Sequence, residues 1–504
     1  MFFKELNLCN LCKSKKNPCL IIVCLLCCLC SCDEGIQSAG TIDGYPDVFP
    51  DYKNVTIPVN IAPLNFDFLG ECEKMEVTFS HEGKILYKCR NRRHTRIPEA
   101  VWRSMLQQAT GGALQVQVYA RQSGKWNVFQ PFNIHVMNDS IDPYIAYRLI
   151  EPGYESWDQM GIYQRNLSTF DESPIITNGL IGRNCVNCHS FHDYRPDRMM
   201  FHLRGERFAG TFLLTDKKME RVNTKTEHAV SAGTYPMWHP SGDFIAFSVN
   251  VTRQVFHTLP GKKIEVYDLE SDLAVWDVKN GSMLRDARFT TKDVWETFPV
   301  WSPDGNWLYY CFAEKKNMPL QSEQLKYGLC RVEFHVATGR FGERIDTIIN
   351  PATSVKSVSF PRISPDGRYL LYTASAYATF PIWHKEADLE MIDLSDESSV
   401  DMQAVNSTEA DSYHAWSSNG RWIVFSSRRI DGLYTRPFFA YFDSSGQIHK
   451  PFLLPQSDPE KYALLLKSYN IPEFVKGKVE LNPYKIRQVL SGETSNLKEI
   501  NHEQ

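Results

Sequence analysis

Four copies of one short pattern, spread over residues 236–425, constrain the fold of this chain more than any other feature. Each copy reads as a strand, a tight turn with glycine where the backbone needs a positive φ, and a second strand. The turn glycines are Gly242, Gly305, Gly367 and Gly420. A second hairpin follows each copy, so each unit predicts four strands, and sheets of this kind are arranged radially in propellers.

The turns of the second and third copies read Trp301-Ser-Pro-Asp-Gly305 and Ile363-Ser-Pro-Asp-Gly367. These WSPDG-type repeats resemble the PD40 repeats of the TolB-like β-propeller family. The resemblance implies an all-β propeller, which we expect over residues 191–455, a length that is enough for five or six blades. The turn glycines lie farther apart than the roughly 40 to 45 residues of a simple blade, so the blades are predicted to carry insertions. Propellers serve as binding platforms as well as enzymes, so the resemblance implies little about chemistry.

A second feature, Cys185-Val186-Asn187-Cys188-His189, is the CxxCH attachment signal of a c-type haem. It predicts one haem c, with thioether bonds from Cys185 and Cys188 and with His189 as the proximal iron ligand. Two alternatives remain open. The cysteines can close a small disulfide, or they can hold a zinc ion together with His189 and His192.

The second axial ligand decides what the iron does. A thioether raises the reduction potential, a second imidazole lowers it, and an open position permits ligand binding or catalysis. His239 stands where the other repeats have serine, and His414 stands where they have proline. A structural role in the core is the competing interpretation for every candidate. The distal candidates are His239, His414, Met199 and Met200, with His192 and His202 as further residues near the motif.

The N-terminus predicts export. An apolar run from Leu20 to Cys30 follows several basic residues and is too short to cross a bilayer of roughly 30 Å, as expected for a signal peptide over residues 1–31. Leu29-Cys30-Ser31-Cys32 resembles the lipobox of bacterial lipoproteins, which makes Cys32 the expected lipidation site. Cleavage elsewhere is the alternative. We therefore expect an outer-membrane lipoprotein of the bacterial cell envelope, periplasmic or surface-exposed.

The remaining cysteines fit an oxidising compartment. Two cross-strand disulfides are predicted by proximity, Cys72 with Cys89 and Cys311 with Cys330. Four buried free cysteines are the alternative.

The rest of the chain divides by pattern. Short stretches of alternating apolar and polar residues predict a small β-sandwich before the haem motif. No long helical pattern flanks CxxCH, so the haem is expected to lie in a fold other than a cytochrome c domain. The predicted segments are a tether over 32–45, the sandwich over 46–140, an irregular connector with CxxCH over 141–190, and a helix and tail over 456–504.

The chain as a whole resembles exported TolB-like monohaem lipoproteins of Bacteroidetes. We expect a lipid-anchored monohaem cytochrome that exchanges electrons with a partner protein. One alternative is a propeller that binds a protein or glycan, with haem as a sensor or structural element. Another is a haem enzyme with an open distal site. A net charge of −4 gives no electrostatic reason to bind nucleic acid.

Overall fold

The computed structural model describes residues 36, 39–151, 159–205, 208–216, 218–258 and 264–502. The predicted signal peptide, Cys32 and part of the predicted tether lie outside these residues. Most regular structure in the described ranges is β-strand, which confirms an all-β class at this level. No helix within those ranges is both long and apolar enough to cross a membrane.

The N-terminal unit contains two sheets and a helix. In the larger sheet β8 pairs with β5, β9 and β10, and the smaller sheet has the order β2-β4-β7. The strands are β1 (Gly40–Thr41), β2 (Val48–Phe49), β3 (Val55–Pro58), β4 (Phe66–Phe68), β5 (Lys74–His81), β6 (Lys84–Asn91), β7 (His94–Thr95), β8 (Ala113–Gln122), β9 (Lys125–Val128) and β10 (Phe132–Met137).

The structure contains a helix, α1 (Glu99–Ala109), within residues 46–140, where the sequence predicts only the strands of a sandwich. It buries Trp102 completely, with the indole Nε1 donating to the O atom of Ile61 at 3.0 Å and the ring edge-on to Phe79. Its apolar face is short and interrupted by polar residues, so the sequence gives only a weak helical signal here.

Six antiparallel four-stranded arrays follow. The first three strands after β10 belong to the sixth sheet, which is described below. They are β11 (Tyr144–Ile150), β12 (Gly161–Asn166) and β13 (Glu172–Thr177). The first sheet has β14 (Cys185–Phe191), β15 (Arg198–Arg204), β16 (Gly210–Thr215) and β17 (Lys218–Asn223). The second has β18 (Thr234–Trp238), β19 (Phe244–Phe256), β20 (Ile264–Asp277) and β21 (Ser282–Asp286). The third has β22 (Val294–Trp301), β23 (Trp307–Glu314), β24 (Gly328–His335) and β25 (Arg340–Ile349).

The fourth sheet has β26 (Ser357–Ile363), β27 (Tyr369–Ser375), β28 (Asp388–Asp393) and β29 (Ser398–Val400). The fifth has β30 (Asp411–Trp416), β31 (Trp422–Ser427), β32 (Arg436–Tyr441) and β33 (Phe452–Leu453). The chain ends with α2 (Lys461–Leu464), β34 (Ser468–Val475), α3 (Pro483–Ser491), β35 (Ser495–Asn496) and β36 (Lys498–His502). Short 3₁₀ turns occur at Asn178–Ile181, His192–Tyr194, Ala287–Phe289, Ser322–Gln324 and Pro381–Trp383.

The sixth sheet joins distant parts of the chain, in the order β13-β12-β11-β34. The predicted irregular connector is therefore wrong for residues 144–177, and the predicted C-terminal helix and tail omits strand β34. The repeat-based limits of 191 and 455 miss this sheet because three of its strands precede the haem motif and the fourth lies beyond the last repeat.

Strands β14, β18, β22, β26, β30 and β34, here called the ring strands, contact one another in that order, and β34 also contacts β14. This closed ring of radiating sheets is the arrangement of a β-propeller. Strands β35 and β36 extend the outer edges of the first two sheets by parallel pairing with β17 and β21. The expected propeller is confirmed at this level.

The predicted disulfide between Cys72 and Cys89 is not formed. Cys89 pairs with Val77, whereas the Sγ atom of Cys72 contacts the O atom of Arg92 at 3.1 Å. Cys72 thus lies beside Arg92, three residues beyond Cys89 in the sequence, and is not the residue that pairs with Cys89.

Cys311 and Cys330 are also free thiols. They lie on neighbouring strands, but Cys330 pairs with Tyr310 and Cys311 pairs with Leu329. Successive residues of a strand point to opposite faces of a sheet, so this register places the two thiols on opposite faces. Each is buried in a different apolar cluster, as the alternative of free buried cysteines predicts.

Candidate cysteine and histidine site

Each ring strand contains one irregular position with a positive φ. A non-glycine residue in this region costs roughly 1–2 kcal/mol, so six such residues at matching places indicate a constraint of the fold. Their side chains meet on the axis of the ring, where the centroids of Phe298 and Phe360 are 4.1 Å apart. The six residues are Cys188, Tyr235, Phe298, Phe360, Tyr413 and Ile471.

The CxxCH motif is therefore part of the repeat. Cys188-His189 occupies the place that Tyr235-Pro236 holds in the next ring strand. The residues that follow the irregular position are His189, Pro236, Pro299, Pro361, His414 and Pro472. This equivalence was not predicted, although the recurring aromatic-proline pair is a signal that could have revealed it.

Cys185 and Cys188 are half-buried and are not bonded to each other. Asn187 Nδ2 donates to the Sγ atom of Cys185 at 3.0 Å. Cys185 pairs with Arg204 and Asn187 pairs with His202, and directly opposed residues share a face of a sheet. Burial raises the pKa of the Cys185 thiol, although Arg148 and Arg204 favour the thiolate.

His189 is buried, and its Nε2 atom has no hydrogen-bond partner among the described residues. Burial, with a smaller contribution from Arg148, lowers the pKa of the ring to about 3, although hydrogen bonding to the backbone of Ile471 and Ala146 opposes the shift. His189 is thus neutral at physiological pH. Neutral imidazole is the form that ligates metals, and an unpartnered buried nitrogen is costly unless a ligand or water satisfies it.

Two cavities lie near these residues. The first has room for about 20 Å³ and is lined by Cys188, His189 and the axial aromatic rings. It can hold one water molecule but no porphyrin. The second has about 480 Å³ and is lined by His202 and Arg204, on the strand that pairs with Cys185, and by Lys225.

His202, a residue near the motif, lies in the wall of the larger cavity. Its Nδ1 atom lies 3.0 Å from the Oγ1 atom of Thr211. Burial and the charge of Arg204 lower the pKa of His202 to about 4. A neutral imidazole therefore lines the larger cavity.

These donors fit a c-type haem in their chemistry: two unbonded thiols in CxxCH order and a neutral imidazole with an unpartnered nitrogen. The cavity beside His189 is too small to hold the haem macrocycle. Ligation by His189 therefore requires the axial side chains to lie differently when haem is attached.

The distal candidates His239 and His414 are structural. Nε2 of His239 donates to the O atom of Gly305 at 2.9 Å, and Nδ1 lies 2.9 Å from the Oγ atom of Ser241. Nε2 of His414 donates to the O atom of Leu371 at 3.1 Å. Burial lowers the pKa of both rings. The Nε2 atoms of both rings are hydrogen-bonded to backbone carbonyls in this structure, and the assignment of either histidine as a distal ligand stays a prediction.

Met199 and Met200 are fully buried and belong to two different apolar clusters. Both therefore act as core residues here, as the competing interpretation predicts. The zinc alternative is not assembled either. Within the described ranges the one group that brings three potential ligand atoms within 4.8 Å of one another is Asp67, His94 and Glu460, where Asp67 also pairs with Arg96.

The role of His239 gives a stability prediction. Gly305 has φ +75°, and a Cβ atom there would lie 2.5 Å from Nε2 of His239. Gly367 has φ +79°, and its Cβ would meet only Pro303, at 3.9 Å. Gly367→Ala is expected to cost about 1–2 kcal/mol for the backbone. Gly305→Ala is expected to cost about 1–3 kcal/mol more because it overpacks the site. Urea unfolding of both variants measures the difference, and equal losses would show that His239 is free to move.

Comparisons with known proteins identify no family. No family model and no curated protein matches the sequence. A puromycin-hydrolysing peptidase of Mycobacterium tuberculosis aligns at 10% identity and TM-score 0.33, over 62% of this chain and 54% of the peptidase. Prolyl oligopeptidase B of Galerina marginata aligns at 9% identity and TM-score 0.34, over 69% of this chain and 50% of the oligopeptidase. A DUF4784 family protein of Bacteroides caccae aligns at 7% identity and TM-score 0.28, over 74% and 97%.

The chain thus spans about half the length of the two peptidases that it matches. Likenesses this weak carry no argument about the chemistry of the cysteine and histidine site.

Proposed function

We propose that this protein carries one c-type haem, attached through Cys185 and Cys188, and that it transfers electrons to or from a partner protein in the bacterial cell envelope. The observation that carries the proposal is the buried, neutral and unpartnered Nε2 of His189, directly after two unbonded thiols in CxxCH order.

The residues of the site have separate tasks in this proposal. The two cysteines hold the cofactor covalently, and His189 supplies a nitrogen that needs no deprotonation at neutral pH. Arg204 and Lys225 offer positive charge in the larger cavity, which suits the two carboxylates of a haem. When bound, the haem supplies a one-electron redox centre.

The envelope location follows from the proposed lipid on Cys32, which would tether the protein to the membrane. The partner is proposed to be a redox protein. We also propose that the six sheets are the blades of a six-bladed propeller, closed by β34, and that the two sheets of residues 46–140 form a small sandwich beside it.

The test is an absorption spectrum of the protein produced in a host with c-type cytochrome maturation. The proposal predicts a Soret band and a sharp reduced band that remain after denaturation and removal of free haem. Added carbon monoxide then separates the roles: an unchanged spectrum supports a carrier, and a shifted spectrum supports a sensor or an enzyme. A protein without a Soret band would refute all three.

A further inference from the structure

A third cavity opens at the other end of the ring of strands. It has about 450 Å³, and all six ring strands contribute to its lining. Three tryptophans from repeated positions, Trp238, Trp301 and Trp416, form much of its wall. Its volume lies in the range of small-molecule sites, which are mostly apolar with a few convergent polar groups.

Two ionisable residues interrupt the apolar lining, Arg362 and Glu473. They occupy the second position after the irregular residue of their strands, where the other four ring strands have Ser190, Met237, Val300 and Ala415. Both line the third cavity and also the small cavity beside His189, so they separate the two spaces. A polar pair at this narrow point forms the floor of the third cavity.

Neither side chain forms an ion pair within the described ranges, and the backbone of Phe191 is a hydrogen-bond partner of the Glu473 carboxyl. Arg362 NH1 donates to the O atom of Pro361 at 3.0 Å, and Arg362 forms no ion pair there within 4.0 Å. The Oε2 atom of Glu473 is buried and has no hydrogen-bond partner. A buried carboxyl oxygen left this way is unfavourable unless a ligand satisfies it.

Charge defines the ligand. Burial raises the pKa of Glu473 to about 8, although Arg362 opposes the shift. Glu473 is thus mostly protonated at pH 7 and offers an O–H donor, while the guanidinium of Arg362 remains charged. The floor therefore presents donors and one positive charge to the cavity, without a neutralising acceptor.

We propose that this cavity binds the carboxylate group of a small, largely apolar organic acid, with the Arg362 guanidinium and the Glu473 carboxyl as hydrogen-bond donors. The tryptophan wall contacts the apolar body of the acid. No residue of the CxxCH motif belongs to the donor pair.

The first test compares two probes of the same shape, benzoate and benzamide, by calorimetric titration of the full-length mature protein at pH 7. Benzoate is expected to bind at least tenfold more tightly than benzamide, because only benzoate carries the charge that Arg362 recognises. Equal affinities, or no binding of either probe, would overturn the proposal.

Variants then locate the site. Arg362→Gln is expected to remove the preference for benzoate, and Arg103→Gln, at an exposed position of α1, is the matched control that keeps it. Circular dichroism checks that both variants are folded. The probe comparison on the unaltered protein stands even if Arg362→Gln fails to fold. An unchanged preference in a folded Arg362→Gln variant would contradict the assignment.

The second test uses pH. Ionisation of Glu473 above pH 8 removes a donor and adds a negative charge, so benzoate affinity should fall about tenfold between pH 7 and pH 9. The Glu473→Gln variant should still bind benzoate, but its affinity should not change between pH 7 and pH 9. An equal fall in affinity in that variant would contradict the role of Glu473. The other titratable groups that line a cavity together with Glu473 are Arg362, Tyr194, Asp193, His192, His189 and Cys188.

Discussion

Ending the chain after Lys467 is expected to prevent the propeller from folding. Strand β34 would be lost, and with it one of the six ring strands and the pairing that closes the sixth sheet. Tyr469, Phe474 and Val475 are buried there, and their burial is worth on the order of 5–8 kcal/mol in total. That is comparable to the whole stability of a typical domain, about 5–15 kcal/mol.

The matched control ends after Asn482. It keeps β34 and removes only α3 and the two edge strands β35 and β36. We expect this chain to remain soluble and to unfold cooperatively in urea with a smaller loss of stability. Size-exclusion chromatography and urea unfolding compare the two chains. The closure would be contradicted if the chain ending at Lys467 unfolded cooperatively at the same urea concentration as the control.

Replacing His189 with alanine is expected to change the haem spectrum, whereas His414→Ala is expected to leave it unchanged. The two residues occupy equivalent positions in their ring strands, and burial lowers the pKa of each to about 3. Only His189 has an unpartnered Nε2. Loss of the proximal ligand should therefore shift the Soret band in the first variant alone.

Stability should show the opposite order. His414 contributes a hydrogen bond from Nε2 to the O atom of Leu371, so its loss is expected to cost about 2–3 kcal/mol in the haem-free protein. The Nε2 atom of His189 has no hydrogen-bond partner within 3.5 Å, and its ring interacts more weakly with the backbone of Ile471 and Ala146, so His189→Ala should cost less. Urea unfolding measures this order. Identical spectra for both variants would assign His189 a structural role like that of His414.

The propeller could be predicted because its signal is local. Each repeat carries a strand, a turn glycine such as Gly305 or Gly367, and a second strand within about a dozen residues. The sixth sheet could not be predicted in this way, because its strands β11 and β34 lie at opposite ends of the propeller sequence. The disulfide predictions failed because strand register, which separates Cys311 from Cys330, is not visible in the spacing of cysteines.

The candidate site was predicted in its donors but not in its surroundings. Cys185, Cys188 and His189 follow from the motif alone. The structure adds that Cys188 belongs to a sixfold series of axial residues, which the motif conceals because cysteine and histidine replace the usual aromatic residue and proline. Glu473 was missed because Ile471-Pro472-Glu473-Phe474 lies beyond the last recognised repeat. Strand β34, which closes the ring, has the irregular residue and proline of the other ring strands but lacks the turn glycine that follows them in the recognised repeats.

The most direct test is the intact mass of the protein matured in a host with c-type cytochrome maturation, with a known c-type cytochrome produced in parallel to show that the host is competent. The account predicts the mass of the mature polypeptide plus one covalently bound haem, and the unmodified mass for the Cys185→Ser/Cys188→Ser double variant. A folded protein of unmodified mass from that host would contradict the account.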